Sequence, residues 1–192
     1  MFNQKLKTMK IKVLLLATLF AFGFLAVHAQ NVQKGDKVLN LGIGLGNALY
    51  SGSYYKSSVP PISASLEVVA KDGLFDGKGA LGIGGYLGYA AYKWEYSGWG
   101  YTYTNIIIGP RGYIHYSFMD KLDTYAGLLI GYNIISAKEF GTSSGYDYSS
   151  SSSGLIWSGF IGGRYYFSDK FAVMLELGSG ITYLNIGIAL KL

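Results

Sequence analysis

Ile181-Thr182-Tyr183-Leu184-Asn185-Ile186-Gly187-Ile188-Ala189-Leu190-Lys191-Leu192 closes the chain and decides the fold. Leu184, Ile186, Ile188, Leu190 and Leu192 share one parity, and Tyr183, Asn185, Gly187, Ala189 and Lys191 share the other. Strict period-two alternation makes this a β-strand with one bulky apolar face and one small or polar face. In a soluble sandwich the second face would meet water and carry charge. Here it is mostly small, which suits the crowded lumen of a narrow barrel and leaves the bulky face for lipid.

The same scheme recurs toward the N-terminus. Val38 to Tyr50 sets Leu39, Leu41, Ile43 and Leu45 against Asn40, Gly42, Gly44 and Gly46. Further strands are expected at Ile62 to Lys71, Ala80 to Lys93, Tyr101 to Phe118, Leu122 to Ser136, Leu155 to Phe167 and Phe171 to Leu177. With the last strand this makes about eight, an even number that closes an up-and-down antiparallel transmembrane β-barrel. Short turns at Asp72 to Gly79, Met119 to Lys121 and Ser168 to Lys170 alternate with longer connections at Ser51 to Pro60, Trp94 to Gly100 and Ala137 to Ser153. The expected arrangement has short turns and both termini on the periplasmic side, and longer loops outside.

The N-terminus reads as a secretory signal. Lys5, Lys7, Lys10 and Lys12 precede an apolar run from Val13 to Val27, and Val27-His28-Ala29 supplies a cleavage site before Gln30. This divides the chain into a signal peptide over 1–29 and a single barrel domain over 30–192. The whole chain carries 16 Lys and Arg against 11 Asp and Glu, a net charge of +5. Four of those lysines lie in the signal, so the mature chain is almost neutral. No basic surface remains to neutralise phosphates, which argues against nucleic acid as a partner. The chain has no cysteine, which excludes disulfides, thiolate metal sites and a lipidated N-terminal cysteine. With 28 glycines, 18 tyrosines and only 14% charged residues, the composition fits a lumen of small residues and interfaces of aromatic ones.

Asn185-x-Gly187-x-x-Leu190-x-Leu192 resembles the C-terminal assembly signal of bacterial outer-membrane barrels, although that signal usually ends in Phe. From Val38 to Leu192 the chain resembles the small outer-membrane β-barrels related to OmpX and to the membrane domain of OmpA. The resemblance implies a location in the bacterial outer membrane and contact with outer-membrane lipid and lipopolysaccharide. It also implies delivery by the barrel-assembly machinery through the C-terminal strand, and a plugged, non-enzymatic barrel that presents loops for barrier or adhesion roles. The alternatives are a small pore or an OmpW-like path for small or apolar solutes.

Parity points Glu67, Lys71, Arg111, Arg164, Glu176 and Lys191 inward. Eight strands enclose only enough space for side chains, so these charges must pair, and Arg111 and Arg164 are expected to meet Glu67 and Glu176. Aromatic residues crowd the longer connections. Trp94, Tyr96, Trp99 and Tyr101 are read first as an interface girdle, and second as a surface for an extracellular glycan or protein. His115-Tyr116-Ser117 resembles the His and Ser of an outer-membrane lipid A deacylase. A serine nucleophile needs a base oriented by an acid, and Asp120 and Asp123 lie in or beside a turn, so a lipid A-modifying hydrolase is the remotest reading. The glycine clusters at Gly42 to Gly46 and Gly82 to Gly85 do not complete a dinucleotide fingerprint. No catalytic, cofactor or metal site is expected.

Overall fold

The computed structural model describes residues 32–46, 48–50, 55–141 and 149–192. The expected signal peptide lies outside the described residues. Eight strands follow one another around a closed antiparallel ring: β1 (Lys37–Leu45), β2 (Tyr55–Gly73), β3 (Gly79–Tyr96), β4 (Trp99–Met119), β5 (Leu122–Phe140), β6 (Ser149–Tyr166), β7 (Phe171–Gly178) and β8 (Leu184–Lys191). β8 closes the ring on β1, with Gly42 opposite Gly187 and Asn40 opposite Ala189.

The register fixes the barrel's width. Leu41 stands opposite Ala64, which leads in turn to Leu87, Ile108, Tyr132 and Leu155, all on the outside. Followed through β7 and β8, the pairing returns to β1 about ten residues from where it left, so the strands tilt by roughly 40° around a Cα cylinder of roughly 8 Å radius. Side chains from opposite walls of such a cylinder meet. The outer face of β5, from Leu122 through Leu128, Ile130 and Tyr132 to Ile134, spans roughly 30 Å at this tilt, enough to cross a bilayer's hydrocarbon. At the end where β1 begins and β8 finishes, Phe75, Tyr116, Phe118, Tyr165, Phe167 and Phe171 form outer pairs of aromatics.

Inside, the lumen is layered. Val32, Val38, Val69, Ala80, Tyr166, Ala172 and Ala189 form an apolar floor. Val32 precedes β1 and is held there as Gln33 N donates to Asp36 at 2.8 Å and Gly35 N donates to the Val69 carbonyl at 2.9 Å. Tyr86, Ala90, Tyr92, Ile107, Leu129 and Ile181 form an apolar ceiling. The charged residues lie between the two. Glycines leave room for large neighbours: a Cβ at Gly82 would strike Glu67, one at Gly162 would strike Tyr125, and one at Gly127 would strike Phe160.

The strands differ from the expected spans chiefly on one side. Residues 55–60 and 94–96, together with much of 137–153, are read from sequence as loop but extend β2, β3, β5 and β6 as strand. β3 and β4 join through Ser97 (φ 51) and Gly98 (φ 83), two left-handed residues of the kind a tight hairpin turn requires. Conversely β1 stops at Leu45, and Ile181 and Thr182 turn inward before β8 begins. Tyr183, placed by parity on the lumen face, is therefore 56% exposed. The result is a lopsided barrel. β2 to β6 form a tall five-stranded sheet that rises past the short β7, β8 and β1.

Candidate functional site

Two places gather chemistry: the charged layer of the lumen and the inner face of the tall sheet.

The lumen layer centres on Arg164, fully buried on β6. Its Nη2 donates to Glu67 Oε2 at 2.6 Å, its Nη1 to Asp123 Oδ2 at 3.0 Å, and its Nε to Asn40 Oδ1 at 2.9 Å. His115 bridges the same two carboxylates from the other side, with Nδ1 2.8 Å from Asp123 Oδ1 and Nε2 2.5 Å from Glu67 Oε1. Both ring nitrogens face carboxylate oxygens; with both carboxylates ionised these only accept, each nitrogen donates, and the ring is an imidazolium. Two cations then balance two anions in a water-poor layer, as buried charge requires. A shell of hydroxyl and amide groups completes it: Asn40 Nδ2 donates to Ser65 Oγ at 3.0 Å, and Tyr113 Oη donates to the same Ser65 Oγ at 3.3 Å.

A second pair sits one layer higher. Arg111 Nη2 donates to Glu176 Oε1 at 2.8 Å, and Tyr125 Oη donates to Oε2 of the same carboxylate at 3.2 Å. The Arg111 guanidinium stacks 3.5 Å from the Phe160 ring, and the Arg164 guanidinium lies 4.5 Å from that of Tyr125. Beside Arg111 and Glu176 is a cavity of about 20 Å³, lined also by Tyr86, Ser158, Thr182 and Asn185. That is room for a water molecule and not for a solute.

The structure brings Glu67, Arg111, Arg164 and Glu176 into this layer and leaves two expected members out. Lys71 is exposed, because a register shift between Val69 and Lys71 ends the lumen parity of β2. Lys191 stands apart at the floor, 2.9 Å from Asp36. Asp123 is the network member that sequence reasoning missed; His115, inward by parity, packs in the lumen as parity implies and joins the charges there. Asp123 shares its parity with the inward Tyr125, a signal hidden by its nearness to the turn at Asp120. The acid missing from the hydrolase reading is thus present on His115. Yet Glu67 occupies the other ring nitrogen, so neither nitrogen is left to act as base toward Ser117.

The inner face of the tall sheet is aromatic. Tyr92 is opposite Tyr103, Trp94 opposite Tyr101, and Tyr96 opposite Trp99, all on the side that continues the lumen wall. Trp99 packs edge-on against Trp94 at 5.8 Å and against Tyr101 at 5.2 Å, and its Nε1 donates to Glu139. Tyr50 stacks on Tyr55 at 5.2 Å and contacts Tyr103 and Tyr92. Burial among these rings raises the Tyr50 phenol above its usual range, even though Asn105 bonds to it. The girdle reading of Trp94, Tyr96, Trp99 and Tyr101 is corrected here: these side chains face across the mouth of the barrel and not toward lipid. Trp157, 79% exposed on the outer face of β6, does face outward.

In the C-terminal motif, Asn185 Nδ2 donates to Ser63 Oγ at 2.8 Å inside the lumen. A Cβ at Gly187 would overlap the Leu41 carbonyl oxygen across the closing seam. Leu190 and Leu192 carry the apolar parity to the end of the strand.

No protein-family model matches the chain, and no curated protein matches it. Solved structures resemble it in strand arrangement. The attachment invasion locus protein Ail of Yersinia pestis, solved in complex with the heparin analogue sucrose octasulfate, is 14% identical with a TM-score of 0.48, over 83% of this chain and 96% of that one. A de novo designed transmembrane β-barrel is 16% identical at a TM-score of 0.43, over 85% and 100%. The N-terminal β-barrel domain of Pseudomonas aeruginosa OprF is 12% identical at 0.38, over 83% and 98%. At these scores the fold assignment rests on the closed register itself.

Proposed function

We propose that this chain is an integral outer-membrane β-barrel whose lumen is a structural plug and whose working surface is the sheet that rises beyond the bilayer. The observation that carries this is the division of labour between the two ends of the strands. Among the described residues the charged layer lies between an apolar floor and an apolar ceiling, which supports a plug over a solute path. Above it, five strands hold a wall of Tyr and Trp beside a mouth that needs no such wall for stability of the ring. Rigid aromatic side chains give large contact area at little entropic cost, which suits adhesion to an extracellular glycan or protein. Lipid and lipopolysaccharide surround the apolar belt, and the C-terminal strand is read by the assembly machinery. We assign both termini to the periplasm, at the end with the turns at 74–78, 120–121 and 167–170.

The test couples three measurements on the purified barrel. Unboiled protein should migrate differently from boiled protein, and planar bilayers containing it should show no steady conductance. Replacing Trp94 to Tyr101 with a short turn should abolish binding to a glycan array or to cell surfaces while the mobility shift remains. Discrete conductance steps in the intact protein would refute the plug. Undiminished adhesion after the replacement would refute the sheet's role.

A further inference from the structure

The inner face of the tall sheet is not aromatic all the way across. Tyr92 is opposite Tyr103, Tyr103 opposite Ala137, and Ala137 opposite Ser150. The next inward line runs from Ala90 through Asn105 and Ile135 to Ser152, and the one below it from Ile107 through Asn133 to Gly154. The wall therefore steps down from large rings on β3 and β4 to small side chains on β5 and β6. Gly154 lies in that step. A Cβ added there would meet nothing within 4 Å among the described residues.

Polar groups gather at the foot of the step. Asn133 Nδ2 donates to Asn105 Oδ1 at 3.3 Å, and Asn105 Nδ2 donates to Tyr50 Oη at 3.2 Å. Asn133 is only 6% exposed, yet its Oδ1 has no hydrogen-bond partner, and neither does the fully buried Tyr92 Oη. A buried amide oxygen is unfavourable unless something donates to it, so each such group asks for an explanation. The foot of the step thus offers an acceptor to a ligand that brings a hydroxyl or an N–H.

Charge narrows the ligand further. Among the described inward residues of the tall sheet Glu139 is the one ionised group, and it accepts from Trp99 Nε1. The connecting stretches 46–54 and 141–149 contain no Lys or Arg. Lys93 has outward parity, Lys56 stands opposite it, and Lys138 stands opposite Thr102, which is Lys93's partner on the other side. All three lysines face away from the mouth. A sulfated or carboxylated ligand would find no cation there, whereas a neutral one needs none.

We infer that the step seats one uncharged sugar residue, with the apolar C–H face of its ring against the Tyr103 side of the wall and a hydroxyl donating to Asn133 Oδ1. Ser152 supplies a second hydrogen-bonding group on the open side. Apolar and aromatic lining with a few placed polar groups is the usual make-up of a small-ligand site. The inference rests on the adhesion reading above and narrows it from a glycan or protein to a neutral terminal sugar.

The test uses the full mature chain refolded in phosphatidylcholine vesicles, free of sugar-headed detergent. Methyl glycosides of glucose, galactose, mannose and N-acetylglucosamine are the neutral probes, and a heparin fragment is the anionic one. Saturation-transfer NMR and tryptophan fluorescence read binding. At least one neutral glycoside should bind saturably and independently of salt, and the heparin fragment should not compete with it. Gly154→Val fills the open step, should keep the heat-dependent mobility shift, and should weaken that glycoside by about tenfold or more. Asn133→Leu should weaken it by about fivefold, the effect of one lost hydrogen bond. Gly112→Ala, on the outer face where an added Cβ also meets nothing, should leave binding unchanged. An inserted wild type that binds none of the glycosides, or undiminished binding by Gly154→Val, would overturn the seat. Undiminished adhesion to enzymatically deglycosylated cells would assign the wall to a protein partner and overturn it as well. Adhesion that survives replacement of Trp94 to Tyr101 would instead overturn the adhesion reading on which it rests.

Discussion

Replacing Arg164 with Met tests the buried network most sharply. The guanidinium is fully buried and donates to two carboxylates and an amide, so no water stands ready to replace it. Its removal leaves Glu67 and Asp123 with His115 as their only cation, an excess of one buried negative charge. Breaking a buried ion pair by deleting one partner costs about 3–5 kcal/mol, and R164M should fall in that range. Glu67→Gln should cost a similar amount for the opposite reason, since Arg164 and His115 would then share Asp123 alone. Together the two substitutions leave the balanced pair His115 and Asp123. The double variant should therefore be more stable than the sum of the singles predicts, by about 1–3 kcal/mol. Urea unfolding in lipid vesicles, followed by tryptophan fluorescence and by loss of the fast-migrating gel band, reads all three variants. A loss below about 1 kcal/mol for R164M, or additivity within about 0.5 kcal/mol, would refute a coupled charge network.

Other consequences are equally concrete. Nitrogen-15 spectra of His115 should show both ring nitrogens protonated at neutral pH; a neutral tautomer would mean that one carboxylate carries the proton. Gly187→Ala should block closure and give little folded barrel, because its Cβ strikes backbone at Leu41, whereas Gly42→Ala meets only the end of the Asn185 side chain and should fold. Similar folding yields for the two would show that the β1–β8 seam is looser than drawn. Trp99→Phe removes the bond to Glu139. Hydrogen exchange should then accelerate by about fivefold or more around residues 94–101, the effect of roughly 1 kcal/mol for one lost hydrogen bond, while β7 and β8 keep their rates.

The closed eight-stranded ring was legible because each spanning strand repeats one instruction, bulky out and small in. That instruction survives errors of several residues at either end. Parity likewise placed Glu67, Arg111, Arg164 and Glu176, since a period of two leaves a charged residue only two directions. It failed where the period itself broke. The shift after Val69 turned Lys71 outward, and the inward turn before Leu184 exposed Tyr183. The tall sheet was hidden for a different reason. Ser, Tyr and Pro between residues 55 and 60, and the serine run from Ser149, have the composition of loops, and only pairing with partner strands makes them sheet. Asp123 was hidden by its position beside a turn.

These failures have a common physical cause, and it bears on function. Within the apolar belt every backbone group must be paired and every side chain must commit to lipid or lumen, so the sequence is forced into a readable code. Beyond the belt water satisfies the backbone, and composition is released from that code. The residues most difficult to place, Trp94 to Tyr101 and the strands beside them, are those whose identity the barrel does not dictate. Their aromatic inner face is accordingly where selection for something other than folding would act.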